Sequence, residues 1–360
     1  MKFSNASLLG LVLCITVLLS GACSYQRIIP TSPSVTASIN TPVQQPANVE
    51  PMLLNTPTPM TALLPFNGKI AFIVWNDAML NNRIYVMKAN GSEQTDITPA
   101  NLYAIRDLAW SPDGQYLAFD AIAGQLHQIF KIKSDGSGLV QLTFREEDAQ
   151  SPSWSPDGKY IIFDSTSPDI LGNSFTSGPQ NQPVTQIYIM KADGSEVRRI
   201  TVKTRNNNVP MSGQYRNDGL ISVSEQISRQ RQINYVVDSN GVIQKQFPQF
   251  EGDTPIWSPD GNFFIRYSFL PPSSDCSGDV IMKLDDNVEM CLKIGDKMNP
   301  PMQGYGYSWS PDGNYILMTA NLENDNAHAD LYVMKLDGSN LTRLTYLSTR
   351  LVEPVWSAAP

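Results

Sequence analysis

The residues that could carry out nucleophilic or acid–base catalysis are few in this sequence. A hydrolase of the serine or cysteine type needs a nucleophile, a base and a group that orients the base. The 360 residues include only two histidines, His127 and His328, and no Gly-x-Ser-x-Gly elbow is followed by a catalytic histidine. His127 is expected to enter a strand and to pack there or at its rim. The sequence therefore predicts no catalytic residue and no cofactor.

Carboxylates are the remaining groups with catalytic potential. Asp148, Glu251 and Asp253 fall in predicted loops on one face of the fold. They leave open an enzyme that acts on an envelope or extracellular glycan, either a hydrolase or a lyase. Two histidines are too few for a histidine-rich metal site. The segment Glu323-Asn324-Asp325-Asn326 has the composition of a calcium loop but lacks the Asp-x-Asn-x-Asn-Gly spacing, so we expect no metal.

One cysteine is placed for attachment of a lipid. Lys2 is followed by an apolar run from Leu8 to Leu19 and then by Ser20-Gly21-Ala22-Cys23. This junction looks like the bacterial lipobox, in which the cysteine is acylated and becomes the first residue of the mature protein. The apolar run is too short for a typical membrane-spanning helix. Residues 1–22 are therefore predicted to be a lipoprotein signal peptide; an ordinary signal peptide with an incidental cysteine is the alternative.

Residues 23–65 are predicted to form a disordered tether. They are rich in Pro, Thr, Ser, Asn and Gln, and such a segment cannot bury enough apolar surface to offset the entropy lost on ordering. The protein is thus expected to be exported and lipid-anchored to a bacterial membrane, at the periplasmic or outer surface of the cell envelope. In that oxidising compartment Cys276 and Cys291 could form a disulfide, or they could remain two buried thiols.

The elements that would position a site come from a repeated motif, Trp-Ser-Pro-Asp-Gly. Its copies begin at Trp110, Trp154, Trp257 and Trp309, with a degenerate copy at Tyr215 and a truncated one at Trp356. Pro supplies the φ of the second residue of a type I turn, Asp hydrogen-bonds the backbone that follows, and Gly takes the left-handed conformation. Each copy therefore predicts a strand, a tight turn and a second strand, and its Asp is a turn former.

A second hairpin motif follows the first at a nearly fixed distance. Asn-Gly or Asp-Gly lies between alternating apolar runs, as in Ile84–Gly91 and Ile129–Gly136. Each unit thus has four antiparallel strands, and units that recur at roughly 40 to 60 residues predict a β-propeller. Six innermost-strand markers predict six blades over residues 66–360. The C-terminal strand near Pro354–Ser357 is expected to pair into the first blade at Lys69–Val74, which closes the ring.

These repeats resemble the WD-like Pro-Asp repeats of the TolB-type propeller family, which also occur in the propeller domain of prolyl oligopeptidases. The resemblance covers about residues 66–360 and implies an all-β, six-bladed propeller. TolB-type proteins carry an α/β domain ahead of the propeller, whereas a tether and a lipobox occupy that place in this sequence. The resemblance therefore implies the fold, and the role of the family members is not carried over.

Binding is expected on the propeller face where the sequence stops repeating, because loops vary where function is added to a rigid scaffold. The longest predicted loop there is Ser165–Thr185, and the blade connections supply further irregular segments. The candidate binding residues are Arg145, Asp148, Arg205, Asn207, Glu251, Asp253, Gln303, Tyr305, Arg350 beside Thr349, and Glu353.

The sequence as a whole favours a non-catalytic scaffold that binds a protein or peptide on this loop face. The formal net charge is −8 and no basic stripe exists, so nucleic acid is not an expected partner. The membrane would be reached only through the lipid on Cys23. We expect a monomer. A lipoprotein that binds a small ligand is a further alternative.

Overall fold

The computed structural model describes residues 66–75, 81–172, 182–200, 212–226, 231–247, 250–251, 255–266, 280–283, 289–291, 306–320, 329–347 and 349–358. All of them belong to one compact unit, Leu53–Pro360. The regular elements in these ranges are β-strands, and the strands within each sheet pair antiparallel. No helix within the ranges is long and apolar enough to cross a membrane.

The strands of the described ranges form six sheets. Sheet 1 contains β1 (Lys69–Trp75), β2 (Arg83–Lys88) and β3 (Thr95–Asp96). Sheet 2 contains β4 (Tyr103–Trp110), β5 (Tyr116–Ala123), β6 (Leu126–Lys133) and β7 (Val140–Gln141). Sheet 3 contains β8 (Ala149–Trp154), β9 (Tyr160–Gly172), β10 (Gln182–Lys191) and β11 (Arg198–Arg199).

The second half of the chain repeats this order. Sheet 4 contains β12 (Ser212–Tyr215), β13 (Ile221–Gln226), β14 (Arg231–Val237), β15 (Ile243–Gln246) and β16 (Phe250–Glu251). Sheet 5 contains β17 (Ile256–Trp257), β18 (Phe263–Arg266), β19 (Val280–Lys283) and β20 (Glu289–Cys291). Sheet 6 contains β21 (Tyr307–Trp309), β22 (Tyr315–Ala320), β23 (Asp330–Lys335) and β24 (Thr342–Arg343). The last strand, β25 (Arg350–Trp356), pairs with β1.

Apolar side chains fill the spaces between consecutive sheets. Ile84 of sheet 1 and Leu117 of sheet 2 belong to one buried cluster, and clusters of the same kind join sheets 2 to 3, 3 to 4, 4 to 5 and 5 to 6. Phe72 of sheet 1 shares another cluster with Leu317 of sheet 6. The central strands are buried on both faces, so β5 and β22 read as nearly continuous apolar runs.

The Trp-Ser-Pro-Asp-Gly segments form the predicted turns. In the first copy Gly114 N donates to Ser111 O (2.9 Å), and Asp113 Oδ1 accepts from Gln115 N (3.1 Å). Gly114 has a φ of 64°, the left-handed conformation that glycine adopts without steric cost. The serine has a role that the sequence did not suggest, because Ser111 Oγ donates to Asp113 Oδ1 (2.6 Å) and accepts from Tyr116 N (2.9 Å).

The predicted all-β class and the four-stranded antiparallel blades of a propeller are confirmed, with two corrections. The segment Ser165–Thr185 was expected to be an irregular loop, but β9 and β10 continue into it and pair from Ser165–Gln186 to Gly172–Gln182. Its Ile, Val and Thr residues favour extended backbone. Glu251, expected in a loop between blades, lies in β16 opposite Arg231 of β14, so sheet 4 has a fifth strand.

Candidate functional site

Three inner strands share an unusual backbone position. Asp107, Ser151 and Glu353 each lie three residues before the Trp that ends the strand, and each has a positive φ of 51° to 54°. The pairing register with the second strand shifts at all three positions, as it does at a β-bulge. A non-glycine residue in this conformation is uncommon and is retained only where its surroundings hold it. The bulges therefore mark a constrained polar site.

Hydrogen bonds join these three positions across sheets 1, 2 and 3. The backbone N of Asp107 donates to Glu353 Oε2 (2.5 Å). Ser151 Oγ donates to Asp107 Oδ2 (2.9 Å), and Ser151 N lies 3.4 Å from Asp120 Oδ1. The nearby Asp107 carboxyl also acts on Asp120 and raises the pKa of that group. The result is a polar network, here called the carboxyl network, that connects three consecutive sheets.

His127 extends the carboxyl network towards the loop face. Its Nδ1 lies 2.6 Å from Asp120 Oδ2, and its Nε2 lies 2.5 Å from Arg106 Nη2. A guanidinium group can only donate hydrogen bonds, so Nε2 must accept and Nδ1 must carry the proton that is donated to Asp120. The backbone N of His127 donates to Asp148 Oδ1 (2.8 Å). His127 and Asp120 are both buried.

Burial shifts the ionisation of the carboxyl network towards neutral forms. It raises the pKa of Asp120 well above the usual range, and the nearby charge of Asp107 adds to this effect. Burial and the Asp107 charge raise the pKa of Glu353 to about 8. Burial and the Arg106 charge lower the pKa of His127. At neutral pH these groups therefore favour protonated carboxyls and a neutral imidazole.

Sheet 3 repeats one part of this arrangement. Asp164 of β9 is equivalent to Asp120 of β5, and it interacts with Ser212 and the backbone of Gly213 in the inner strand of sheet 4. Burial raises the pKa of Asp164 well above the usual range. In both cases an aspartate of the second strand thus interacts with the inner strand of the next sheet. Asp120 reaches Ser151 and Asp164 reaches Ser212, and each of these serines lies three residues before the Trp or Tyr that ends its strand.

The candidate binding residues in the described ranges hold the fold together. Arg145 stacks over Tyr188 at 4.3 Å, donates to Ser165 Oγ (2.9 Å) and pairs with Glu147 (3.1 Å). Thr349 Oγ1 donates to Trp75 O (3.1 Å). Asp148 and Glu353 both belong to the carboxyl network, through His127 N and Asp107 N respectively, whereas Arg350 lies above the ring of Trp75.

Several predicted positions lie outside the described residues. They are Cys23 with the signal and tether, Arg205, Asn207, Asp253, Cys276, Gln303 and Tyr305. The backbones of Glu251 and Cys291 lie in strands, and their side chains are not described. The lipid anchor and the disulfide therefore stay predictions.

Sequence reasoning missed the residues at the centre of the site. Arg106, Asp107, Asp120, Ser151 and Asp164 were not singled out, although an alignment of the copies on their Trp would have placed Asp107, Ser151 and Glu353 at one repeated position. Among the described residues no group of three or more His, Cys, Asp or Glu side chains has the geometry to hold a metal ion. Chemically, the carboxyl network can hold and share protons.

The architecture defines a β-propeller, and its solved relatives are of the TolB type among others. TolB from Acinetobacter baumannii has a TM-score of 0.61 and 20% identity, with 81% of this chain and 66% of that chain covered. Hydrazine synthase from Kuenenia stuttgartiensis has a TM-score of 0.61 and 15% identity, with 81% and 47% covered. A chain of a nidogen/laminin complex has a TM-score of 0.54 and 12% identity, with 81% and 99% covered.

These similarities establish the fold, since the identities are low. The predicted resemblance to TolB-type propellers is confirmed at that level. This chain spans less than two thirds of the TolB chain and about half of the hydrazine synthase chain. No protein-family model and no curated protein sequence matches it.

Proposed function

We propose that this protein is a lipid-anchored propeller of the bacterial cell envelope that binds a protein or peptide and has no catalytic activity. The observation that carries the proposal is that polar groups of the carboxyl network already bond one another. Arg106, His127 and Asp120 satisfy one another, and burial favours their neutral forms apart from the arginine. Polar groups that bond one another in this way stiffen the inner strands, and the stiff strands provide a rigid base for the loops around them.

We also propose that the six sheets form one closed ring of six blades. Support comes from the six buried clusters, each of which joins two consecutive sheets, including sheet 6 to sheet 1. The pairing of β25 with β1 joins the two ends of the ring. A closed ring removes the sheet edges that would otherwise recruit further strands, which fits the expected monomer.

The protein-binding part of the proposal rests on fold similarity and on the loop face. A solved relative comes from a complex of two proteins, nidogen and laminin. A photo-crosslinking residue at Gln125, exposed in the β5–β6 turn of the loop face, should capture a specific protein in the intact envelope. The matched control is Gln115, which is also exposed and lies at the opposite face of the same sheet. Absence of a specific adduct at both positions would contradict the proposal.

Anchoring by lipid is tested separately from binding. Cys23→Ser should move the protein from the membrane fraction to the soluble fraction and remove the acyl mass from its N-terminus. The control Cys14→Ser changes a cysteine inside the predicted signal and should leave the protein in the membrane. Membrane retention of the Cys23→Ser protein would contradict the proposed lipid anchor, because the acyl chains on that cysteine are expected to supply the membrane affinity.

The enzyme alternative is favoured by one observation. Glu353, with a pKa of about 8, lies beside the half-buried Asp107, and carboxyl groups in unlike environments serve as acid and base in glycan hydrolysis. Turnover on a panel of envelope glycans that is lost in both Glu353→Gln and Asp107→Asn would favour an enzyme over a scaffold.

A further inference from the structure

A cleft of about 540 Å³ opens between sheets 3 and 4 on the face that carries the Pro-Asp-Gly turns. This face is opposite the loop face. The walls that matter for binding are Asp157, Tyr160, Glu196, Arg198, Tyr215 and Asp218. The cleft thus runs from the two inner turns towards the outer hairpins.

The cleft exists because sheet 4 has a degenerate turn. A Cβ placed on Gly158 would meet Pro112 of the preceding turn at 3.8 Å, and one on Gly313 would meet Pro259 at 3.8 Å. The equivalent position on Gly219 has no atom within 4 Å. Sheet 4 lacks the Pro and the Trp of the motif, and its turn is shorter by one residue. The contact between neighbouring turns is therefore lost at this boundary.

The walls of the cleft favour a positively charged group. Three carboxylates line it against one cation, Arg198, whose Nη2 already donates to Ser239 O (3.0 Å) across the two sheets. Burial, and to a lesser extent the charge of Asp157, raise the pKa of Tyr215 to about 12, so the phenol stays neutral beside these carboxylates. Tyr160 and Tyr215 also line the cleft, and aromatic rings attract cations.

Two of the carboxylates are available to an incoming cation. Asp157 pairs with Lys159 at 3.2 Å, and that lysine side chain is 73% exposed. Glu196 pairs with Lys191, also on the surface. Exposed pairs of this kind contribute little and exchange readily. Asp218 is less available, because it is held by the buried guanidinium of Arg216.

We propose that this cleft binds a lysine or arginine side chain of a polypeptide, with Asp157 and Glu196 as the charge partners and the two tyrosine rings as the walls. The site is separate from the loop face, and it holds whether or not a partner docks there. A charged hydrogen bond and a cation–π contact together explain the preference for a basic side chain over a neutral one.

The test uses the full-length protein in detergent and fluorescein-labelled tetralysine, followed by fluorescence polarisation. The double variant Asp157→Asn/Glu196→Gln should weaken binding at least tenfold. Its amides keep the hydrogen-bond acceptors of both turns. Asn217→Lys, which adds a tethered ammonium at the exposed rim, should weaken binding to a similar extent.

The matched control is Asp113→Asn/Glu93→Gln. Asp113 makes the same turn bonds as Asp157, and Glu93 pairs with Lys88 as Glu196 does with Lys191. The net charge of the two double variants is equal, so the control should stay within twofold of the parent protein.

Three results would overturn the proposal. They are equal losses in the two double variants, absence of saturable tetralysine binding, and equal binding of tetraglutamate. None of these would affect capture of a partner through Gln125, so a wrong assignment of the cleft and a wrong assignment of the scaffold function can be told apart.

Discussion

Carboxyl groups at the two ends of the same blades respond in opposite directions to their surroundings. At the end of sheet 3 that carries the Pro-Asp-Gly turn, here called the turn end, the hydroxyl of Ser155 and the backbone of Lys159 lower the pKa of Asp157. At the opposite, loop end of the same sheet, burial raises the pKa of Asp164, as it raises those of Asp120 and Glu353 in the two preceding sheets. The residue types are nearly the same, and what differs is the number of hydrogen-bond donors and the access of water.

This difference separates two structural roles. A turn aspartate is an ionised acceptor in water, and its hydrogen bonds stabilise one hairpin locally. A carboxyl in the network is buried, as Asp120 is, or half-buried between blades, as Asp107 and Glu353 are, and loss of contact with water there favours its protonated form. The first role depends on residues two positions away, such as Asp157 with Lys159. The second joins residues as distant in sequence as Asp107 and Glu353.

The largest effect is expected from removal of a network carboxyl. Asp120→Ala leaves the Nδ1–H of His127 and the backbone N–H of Ser151 without their acceptor, and we expect a loss of about 3 kcal/mol in the free energy of unfolding. Asp157→Ala at the turn end should cost about 1 kcal/mol. Urea denaturation measures both, and equal losses would remove the distinction between the two ends.

The pH dependence of stability should follow Glu353. Its pKa rises from 4.5 to about 8 on folding, so the folded protein binds more protons than the unfolded chain between these values. The free energy of unfolding should therefore fall as the pH rises from about 4.5 to 8. Glu353→Gln removes this contribution and should stabilise the protein by on the order of 2 kcal/mol at pH 7, with little effect at pH 4.5. A gain independent of pH would count against the buried, protonated carboxyl.

A smaller effect is expected from the turn serines. Ser155→Ala removes the hydroxyl that donates to Asp157 and accepts from Tyr160 N, at a cost of about 1 kcal/mol. Ser111→Ala removes the same pair of bonds from sheet 2 and should cost the same. Thermal unfolding would show the equality, and a clear difference between the two variants would mean that the turns are not equivalent.

The smallest effect is expected at the surface of the turn end. Lys159 pairs with Asp157 in solvent, so Lys159→Ala should change the free energy of unfolding by less than about 0.5 kcal/mol. A larger loss that persists in high salt would show that the pair contributes more than its exposure suggests.

The turn end could be predicted from the sequence because each of its contacts is local and repeated. Ser111, Pro112, Asp113 and Gly114 determine their own turn, and the same letters recur in three further copies. The loop end could not be predicted in this way. The position three residues before the Trp holds a different residue in each copy, namely Asp107, Ser151 and Glu353. Its hydrogen bonds also join separate sheets, so no single repeat contains the site.

The cleft illustrates a related limit of sequence reasoning. The loss of Pro and Trp in sheet 4 is visible in the letters from Tyr215 to Leu220. That the loss opens space beside Gly219 depends on the packing of that turn against the turn of sheet 3. A degenerate repeat is therefore a signal for a site, and the neighbouring repeat determines the shape of that site.

The proposed scaffold function depends most directly on the protonated state of the loop-end carboxyls. A pH titration of the side-chain carboxyl carbons by ¹³C NMR on the full-length protein would measure it. We predict that Glu353 titrates near pH 8 and that Asp157 titrates below its ordinary value. Titration of Glu353 at or below the ordinary value of a glutamate would place an ionised, solvated carboxylate at the loop end, and would contradict the buried network on which the rigid scaffold is built.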